Sequence, residues 1–371
     1  MSLSIERFET FILDVPTIRE HVLSMATMTT QTMVFLRLTF SDGSIGIGEA
    51  TTIGGLSYGP ESPESIRVTL ERYIKPIVTG QSFKTVGATM SLIDTSIVGN
   101  RFAKCAVEMA LYDALGHRLG IPVSELLGGR IVDSLNVLWV LASGDLKTDI
   151  SEAEHMINER RHNVFKIKIG KRSVEKDVAH VAEIKSALGD RASIRVDVNQ
   201  AWSRSQANRG CRLLADAGID LVEQPLSEND IAGAQQLVAQ GIIPIMLDES
   251  VKGPEKTFHL AQGKSDDIYA LKILQAGGLT KGREVAVIAR RSGAELYGGT
   301  MLESSVCTIA SAHLFSTLDT LEWGTELFAP LLLREQITEQ SLEYRDFQLH
   351  VPNSAGLGVT LDEDKINYFS R

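Results

Sequence analysis

Six charged residues lie within or just beyond five short apolar runs, and their types are those that move protons and hold hard cations. The runs are FKIKIG (165–170), SIRVDVN (193–199), LVEQP (221–225), PIMLDES (244–250) and YALKIL (269–274). In order they carry Lys166 and Lys168, then Asp197, Glu223, Asp248 and Lys272. A charge inside a buried strand is costly unless it is paired or binds a metal. One such residue could be an accident, but a series at similar depth in successive segments marks a site. Three carboxylates without His or Cys suit a hard cation, Mn2+ or Mg2+. The competing reading, in which each carboxylate simply pairs with a Lys or Arg, holds for any one of them but weakens for all three in order.

The strand period assigns faces. In SIRVDVN, Arg195, Asp197 and Asn199 share one face and the valines the other. Lys166 and Lys168 also share a face. Two ammonium groups this close repel, and a metal nearby adds to that. Both effects lower a lysine pKa, leaving one amine neutral near pH 7 to act as a base. Lys272 then stands on the far side. A cation between two sets of lysines suits proton exchange beside a carboxylate, with the cation stabilising an enolate.

The elements that must position these residues follow from their spacing. The runs start about 25 residues apart, with AELYGG (294–299) and LEWGTE (321–326) after them and LNVLWVLAS (135–143) before. That leaves room for a strand, a helix and two short loops, hence βα units on a parallel sheet. Eight such units close into a barrel whose active site lies at the C-terminal ends of the strands, where these charges fall. The intervening helices fit 149–162, 174–188, 203–217, 230–240, 253–263, 280–292 and 303–317.

The first third reads differently. IERFETFILDV (5–15) is strand-like, and TMVFLRLTF and SIGIGEA flank the hairpin turn Asp42-Gly43. Residues 17–31, polar and Met-rich, read as a long loop, and His21 within it as an exposed side chain. TTIGGLSYG (51–59) is a second loop, and such loops are often functional. Helices are expected at 63–78, 84–97 and 101–119, the last ended by Gly120 and Pro122. This α+β part, 1–129, precedes a barrel over 130–345, and 346–371 breaks the βα rhythm and is expected to return to the first part.

Length and composition set outer limits. At 371 residues with 43% apolar content, a large core plus a smaller domain fits. A net charge of -10 without a basic cluster argues against nucleic acid. The three cysteines, Cys105, Cys211 and Cys307, form no CxxC pattern and read as reduced thiols; Cys307 reads as a packing residue, since no histidine partner is identifiable. With no signal-like start and no membrane-length apolar run, a soluble cytoplasmic protein is expected.

The ordered set Lys166-Ile167-Lys168, Asp197, Glu223, Asp248, Lys272 resembles the enolase superfamily, and more narrowly its muconate-lactonizing subgroup. GEATTIGGLSYG (48–59), LASGD (141–145), RVDVNQAW (195–202), YGGTMLE (297–303) and GTELFAPLLL (324–333) are similar to that subgroup too. The resemblance implies an α/β fold: a modified TIM barrel, (β/α)7β, with an N-terminal α+β capping domain completed by the C-terminal segment. It implies Asp197, Glu223 and Asp248 as ligands of Mn2+ or Mg2+. The substrate would be a small dicarboxylate, cis,cis-muconate, cyclised to muconolactone in catechol breakdown by the β-ketoadipate route. Lys168 would deliver the proton in a syn addition, Lys166 would tune it and contact the substrate carboxylate, and Lys272 would be an electrostatic partner on the opposite face. Glu326 would hydrogen-bond within the site, and Glu249 would support the ligands. Ile53, Tyr58, Phe328 and Asn199 would line the substrate site, and loops 17–31 and 51–59 would close over it. A homo-oligomer, an octamer by resemblance, is implied, with no membrane or nucleic-acid partner.

The alternatives are close ones. Chloromuconate relatives tend to carry Val at the place of Ile53 and Ile at that of Phe328, swaps worth only about 1–3 kcal/mol each. A dipeptide epimerase or an N-acylamino acid racemase uses the same lysines, and the 51–59 loop favours muconate over both. A barrel that binds a carboxylate without turnover would lack one of the charged residues. Two departures from the family pattern, Ser305 and Cys307 in place of glycine and Leu247 in place of alanine, touch no proposed ligand or lysine. The first is expected to alter a loop after the seventh strand.

Overall fold

The barrel strands are short because each needs only three to five residues to cross a core filled by Val, Ile, Leu and aromatic side chains. In the computed structural model, which describes residues 3–22, 27–263 and 267–371, four strands come first: β1 (Leu3–Val22), β2 (Thr27–Phe40), β3 (Ile45–Thr51) and β4 (Ser82–Phe83). They form an antiparallel sheet of order β3-β2-β1-β4. After β5 (Ser134–Asn136) come β6 (Trp139–Leu141), β7 (Val164–Lys168), β8 (Ser193–Asp197), β9 (Leu221–Glu223), β10 (Ile245–Leu247), β11 (Ile268–Leu271) and β12 (Glu295–Gly298). These last seven make one sheet in strict sequence order, every neighbouring pair parallel.

The expected eighth strand is reduced to single bridges. Thr325 pairs in parallel with Gly298 at the end of β12 and with Val137 ahead of β6, so both edges of the curled sheet meet at one residue. The expected first strand, 135–143, is split into β5 and β6. β5 pairs with a C-terminal hairpin, β13 (Tyr344–Arg345) and β14 (Gln348–His350). The chain end reaches the N-terminal sheet: Leu13 bridges Ser370, and Arg371 N donates to Ile12 O at 2.9 Å.

The reading of 17–31 as a loop is corrected. β1 runs on to Val22 and β2 starts at Thr27, with register pairs Val15↔Gln31, Pro16↔Thr30 and His21↔Met28 and an irregularity between Pro16 and His21. The stretch is a hairpin arm, hidden in the sequence because its polar, Thr-rich run lacks an apolar alternation. Residues 23–26 lie outside the described residues. His21 is buried at 2% exposure rather than exposed, because the arm lies against the barrel.

The helix Arg101–Leu119 backs the N-terminal sheet. β3 approaches it so closely that a Cβ on Gly46 would lie 1.9 Å from Ala110 O, and one on Gly48 1.9 Å from Ala106 O. Only glycine permits that contact. The helix ends on Gly120 in the left-handed region, with φ of 69°. The expected helix 63–78 is continuous but carries a π-helical turn at Thr69–Ile74. The departures at Ser305 and Cys307 fall not in a loop but in the first turn of the helix Ser305–Phe315, which Ser304 caps.

Candidate active site

Strand register assembles the site before any side chain is considered. Lys168 pairs with Asp197 across β7 and β8, and Asp197 pairs with Glu223 across β8 and β9. Asp248 follows β10 directly, and Lys272 follows β11. The five strand ends therefore present Lys, Asp, Glu, Asp, Lys in order around one rim. Lys166 sits a pleat deeper on β7 and on the same face as Lys168.

Each of the three carboxylates meets a lysine. Lys168 Nζ donates to Asp197 Oδ2. Lys166 Nζ lies 2.8 Å from Glu223 Oε2 and 2.7 Å from Glu326 Oε1. Lys272 Nζ lies 2.6 Å from Asp248 Oδ2. The pairing considered from sequence is thus present, and among the described residues no ready-made cluster of acids, His or Cys closes around an ion. Pairing does not use up the donors. Glu223 Oε1, Asp248 Oδ1 and Glu249 Oε2 are buried without a hydrogen-bond partner among the described residues. A buried carboxylate oxygen left bare is costly. Oxygen-only donors of this kind on neighbouring strands fit a hard divalent cation.

The electrostatics carry the same mark. Burial pushes the Glu223 carboxyl well above its usual range, and Asp197 and Asp248 push the same way against Lys166. Burial, with Asp248 and Asp197, lifts Glu249 to about 8. Asp197 is held below its usual range: burial raises it, but the charges of Lys168 and Lys166, with hydrogen bonds from Lys168 and from Asn199 N, outweigh that. The expectation of a depressed lysine is corrected for Lys166. Burial does pull its pKa down, yet Glu223 and Glu326 push it well above the ordinary lysine value. Lys166 is a charged, fully enclosed anchor. Of the three lysines, Lys168 has the most open side chain, at 15% exposure against 1% for Lys166 and 5% for Lys272.

The sequence-predicted residues fall as follows. Asn199, in the left-handed region with φ of 44°, donates from Nδ2 to Asp197 Oδ2 and Glu249 Oε1, both at 3.1 Å. Backbone strain of that kind is held only where surrounding bonds fix it. Tyr58 reaches in from the cap, its hydroxyl 2.5 Å from Asp248 Oδ2. Burial and Asp248 hold that phenol protonated, so it is the donor. Ile53 is buried, at 7% exposure. Phe328 is fully buried and packs edge-on against Trp139, with ring centroids 5.2 Å apart, so it serves the core as well as the rim. Gly299 makes room for Lys272, whose Cγ would lie 2.7 Å from a Cβ there.

Sequence reasoning missed several supports. Gln224, with φ of 35°, accepts from Asp248 N at 2.9 Å and so fixes the next ligand strand. Arg195, paired in register with Lys166, lies against the rings of Tyr297 and Trp323. Glu49 and Glu303 are buried where cap meets barrel, and Glu49 accepts from Ser304 N and Cys307 N. His21 stands near Lys168; burial first, then the charges of Lys168, Arg19 and Lys166, lower its pKa to about 3, and its Nδ1 has no partner among the described residues. Only the Gly-Glu-Ala and Leu-Glu-Ser acids carried a signal, as isolated charges in apolar surroundings.

With this geometry in hand, the chain can be set beside known proteins. Residues 7–128 match the mandelate racemase / muconate lactonizing enzyme N-terminal domain, and 149–365 match the enolase C-terminal domain-like family. Muconate cycloisomerase 1 of Pseudomonas putida is 53% identical over 372 residues, covering 100% of this chain and 99% of that protein. A muconate lactonizing enzyme from Pseudomonas fluorescens, solved in complex with muconolactone, superposes with a TM-score of 0.98 at 52% identity, covering 99% of each chain. A chloromuconate cycloisomerase of Delftia acidovorans is more distant, at 39% identity over the full length of both.

Proposed function

The chain belongs to the mandelate racemase and muconate lactonizing enzyme family, and we propose that it is an isomerase that closes cis,cis-muconate to muconolactone. One observation carries the reading: Lys168 and Lys272 flank three acids, Asp197, Glu223 and Asp248, the last two of which each keep a buried oxygen without a hydrogen-bond partner among the described residues. Full-length identity to muconate cycloisomerases supports it, and the lower identity to chloromuconate enzymes favours the unchlorinated substrate.

Members of the enolase superfamily bind a divalent ion, and Asp197, Glu223 and Asp248 would hold it here, as Mn2+ or Mg2+. When bound, it supplies Lewis-acid stabilisation of the negative charge that develops on one substrate carboxylate. The protein groups do the rest. The distal carboxylate of the substrate attacks the double bond, forming a C–O bond. Lys168, the accessible ammonium, gives its proton to the carbon beside the other carboxylate on the same face, a syn addition. Asp197 holds Lys168 in place. Lys166, kept charged by Glu223 and Glu326, adds a fixed positive field behind it. Lys272 faces the opposite side as an electrostatic partner. Ile53, Tyr58, Phe328 and Asn199 shape the pocket that excludes water.

The wider expectations stay with this proposal. They are a role in catechol breakdown, a homo-oligomer such as an octamer, a cytoplasmic setting, and a cap of 1–129 completed by 346–371 over a barrel of 130–345. Among the described residues no helix is long and apolar enough to cross a membrane.

The test is direct. Purified protein with Mn2+ and cis,cis-muconate should bleach the ultraviolet absorbance of the conjugated diene. EDTA should stop it, and Lys168→Ala should slow it about 10²–10⁴-fold, the usual worth of a positioned acid. No bleaching by metal-loaded protein would sink the reading. Bleaching that survives Lys168→Ala would move the proton to Lys272.

A further inference from the structure

The cap reaches into the barrel through Tyr58. Its segment turns at Gly54 and Gly55, both left-handed with φ of 59° and 65°, and Leu56 is exposed. The segment is tied down on either side of Tyr58. Gln31 Nε2 donates to Thr52 O at 3.3 Å, and Glu61 accepts from Phe102 N at 3.0 Å and Ala103 N at 3.3 Å at the start of the helix Arg101–Leu119. Between these anchors the Tyr58 hydroxyl donates to Asp248 Oδ2 at 2.5 Å. It accepts from Lys272 Nζ at 2.8 Å and from Gln275 Nε2 at 3.2 Å. The Lys272 ammonium also lies 4.8 Å from the Tyr58 ring centroid. The two contacts that Asp248 receives here, from the Tyr58 hydroxyl and from Lys272 Nζ at 2.6 Å, both fall on one carboxylate oxygen, Oδ2. The other, Oδ1, is buried and unpartnered among the described residues.

We infer that Tyr58 is a positioning residue for the metal site, holding Asp248 by Oδ2 so that Oδ1 faces the divalent ion, and that it thereby links metal affinity to the order of segment 52–59. The inference rests on the assignment of Asp248 as a metal ligand. Carboxylate ligands depend on outer partners that fix their orientation, and loss of such a partner usually weakens metal binding 10–100-fold. Coupling of this kind is reciprocal: if the phenol contact tightens the ion, the ion must hold the segment by the same factor. A cap segment that metal binding secures would be in place before substrate arrives.

The experiment uses Mn2+ alone, without substrate. Mn2+ binding would be titrated calorimetrically on the wild type and on Tyr58→Phe, which keeps the ring over Lys272 and removes only the hydroxyl. Amide hydrogen exchange of residues 52–59 would be followed with and without Mn2+, with the helix Arg101–Leu119 as a folding control. The expected result is a 10–100-fold weaker Mn2+ affinity in Tyr58→Phe. Exchange in 52–59 should slow on adding Mn2+ to the wild type and change less in the variant. Equal or tighter Mn2+ binding by Tyr58→Phe, or Mn2+-induced protection that survives the substitution, overturns the inference while the metal site stands. A wild type that fails to bind Mn2+ removes the metal assignment, and the inference with it.

Discussion

Replacing Glu49 with alanine should destabilise the protein by about 2–6 kcal/mol, although Glu49 touches none of the proposed metal ligands or lysines. Its side chain is completely buried at the end of β3. It accepts from Ser304 N at 2.8 Å, Cys307 N at 2.9 Å, Ser304 Oγ at 2.6 Å and Thr51 Oγ1 at 2.6 Å. The two amides open the helix Ser305–Phe315 and have no other acceptor in that helix, so Glu49 acts as its cap from 255 residues away. Each buried donor left bare costs about 1–3 kcal/mol, and two give the range above. Glu49→Gln should recover only part of this, since four donors aim at the acid and an amide NH2 cannot accept. The check is urea unfolding of all three proteins followed by tryptophan fluorescence, with midpoints compared at constant slope. A loss below about 0.5 kcal/mol for Glu49→Ala, the size of an ordinary surface change, would refute the reasoning.

The further predictions concern pH, specificity and packing. Burial, partly offset by bonds from Thr300 and Met301, lifts Glu303 to about 7. An acid whose folded pKa is raised stabilises the fold below its unfolded value, near 4.5, and loses that contribution as pH rises through 7, at up to about 1.4 kcal/mol per unit. Glu303→Gln should therefore flatten the decline in urea midpoint between pH 5 and 8, and an unchanged slope would count against it. His21, near 3, and His162 and His313, near 4, act with the opposite sign and should dominate the acid limb below 6.5. Ile53→Val should shift the ratio of kcat/KM for chlorinated over plain muconate by no more than about 1–3 kcal/mol, at little cost to stability. Phe328→Ile should also lower the melting temperature, because it removes the ring against Trp139. A shift in ratio without a stability loss for Phe328→Ile would contradict the packing argument.

The rim of charges was legible because strand alternation turns sequence into geometry: a charge at an inward position stays inward, and equal spacing places it at equal height. The helices between were legible from the spacing of the strands, and the end of the helix Arg101–Leu119 from Gly120. What escaped depended on distant partners. The charge state of Lys166 could not be read from Lys168 beside it, because Glu223 and Glu326, farther along the chain, decide it. The contact of Tyr58 with Asp248 spans 190 residues. The arm carrying His21 read as a loop since nothing local marks a polar strand whose burial comes from the barrel below it.

The three ion pairs of the rim give the protein a way to wait. Because each acid already has an ammonium as counter-ion, withdrawing the cation leaves no crowd of bare negative charges to push the strands apart. A zinc finger unfolds when stripped of its metal, since its ligands have nothing else to bind. Under the proposed metal assignment the lysines would take over the acids, so a chelated molecule would stay folded and ready to be refilled, and metal supply would act as a reversible throttle on turnover instead of a determinant of survival.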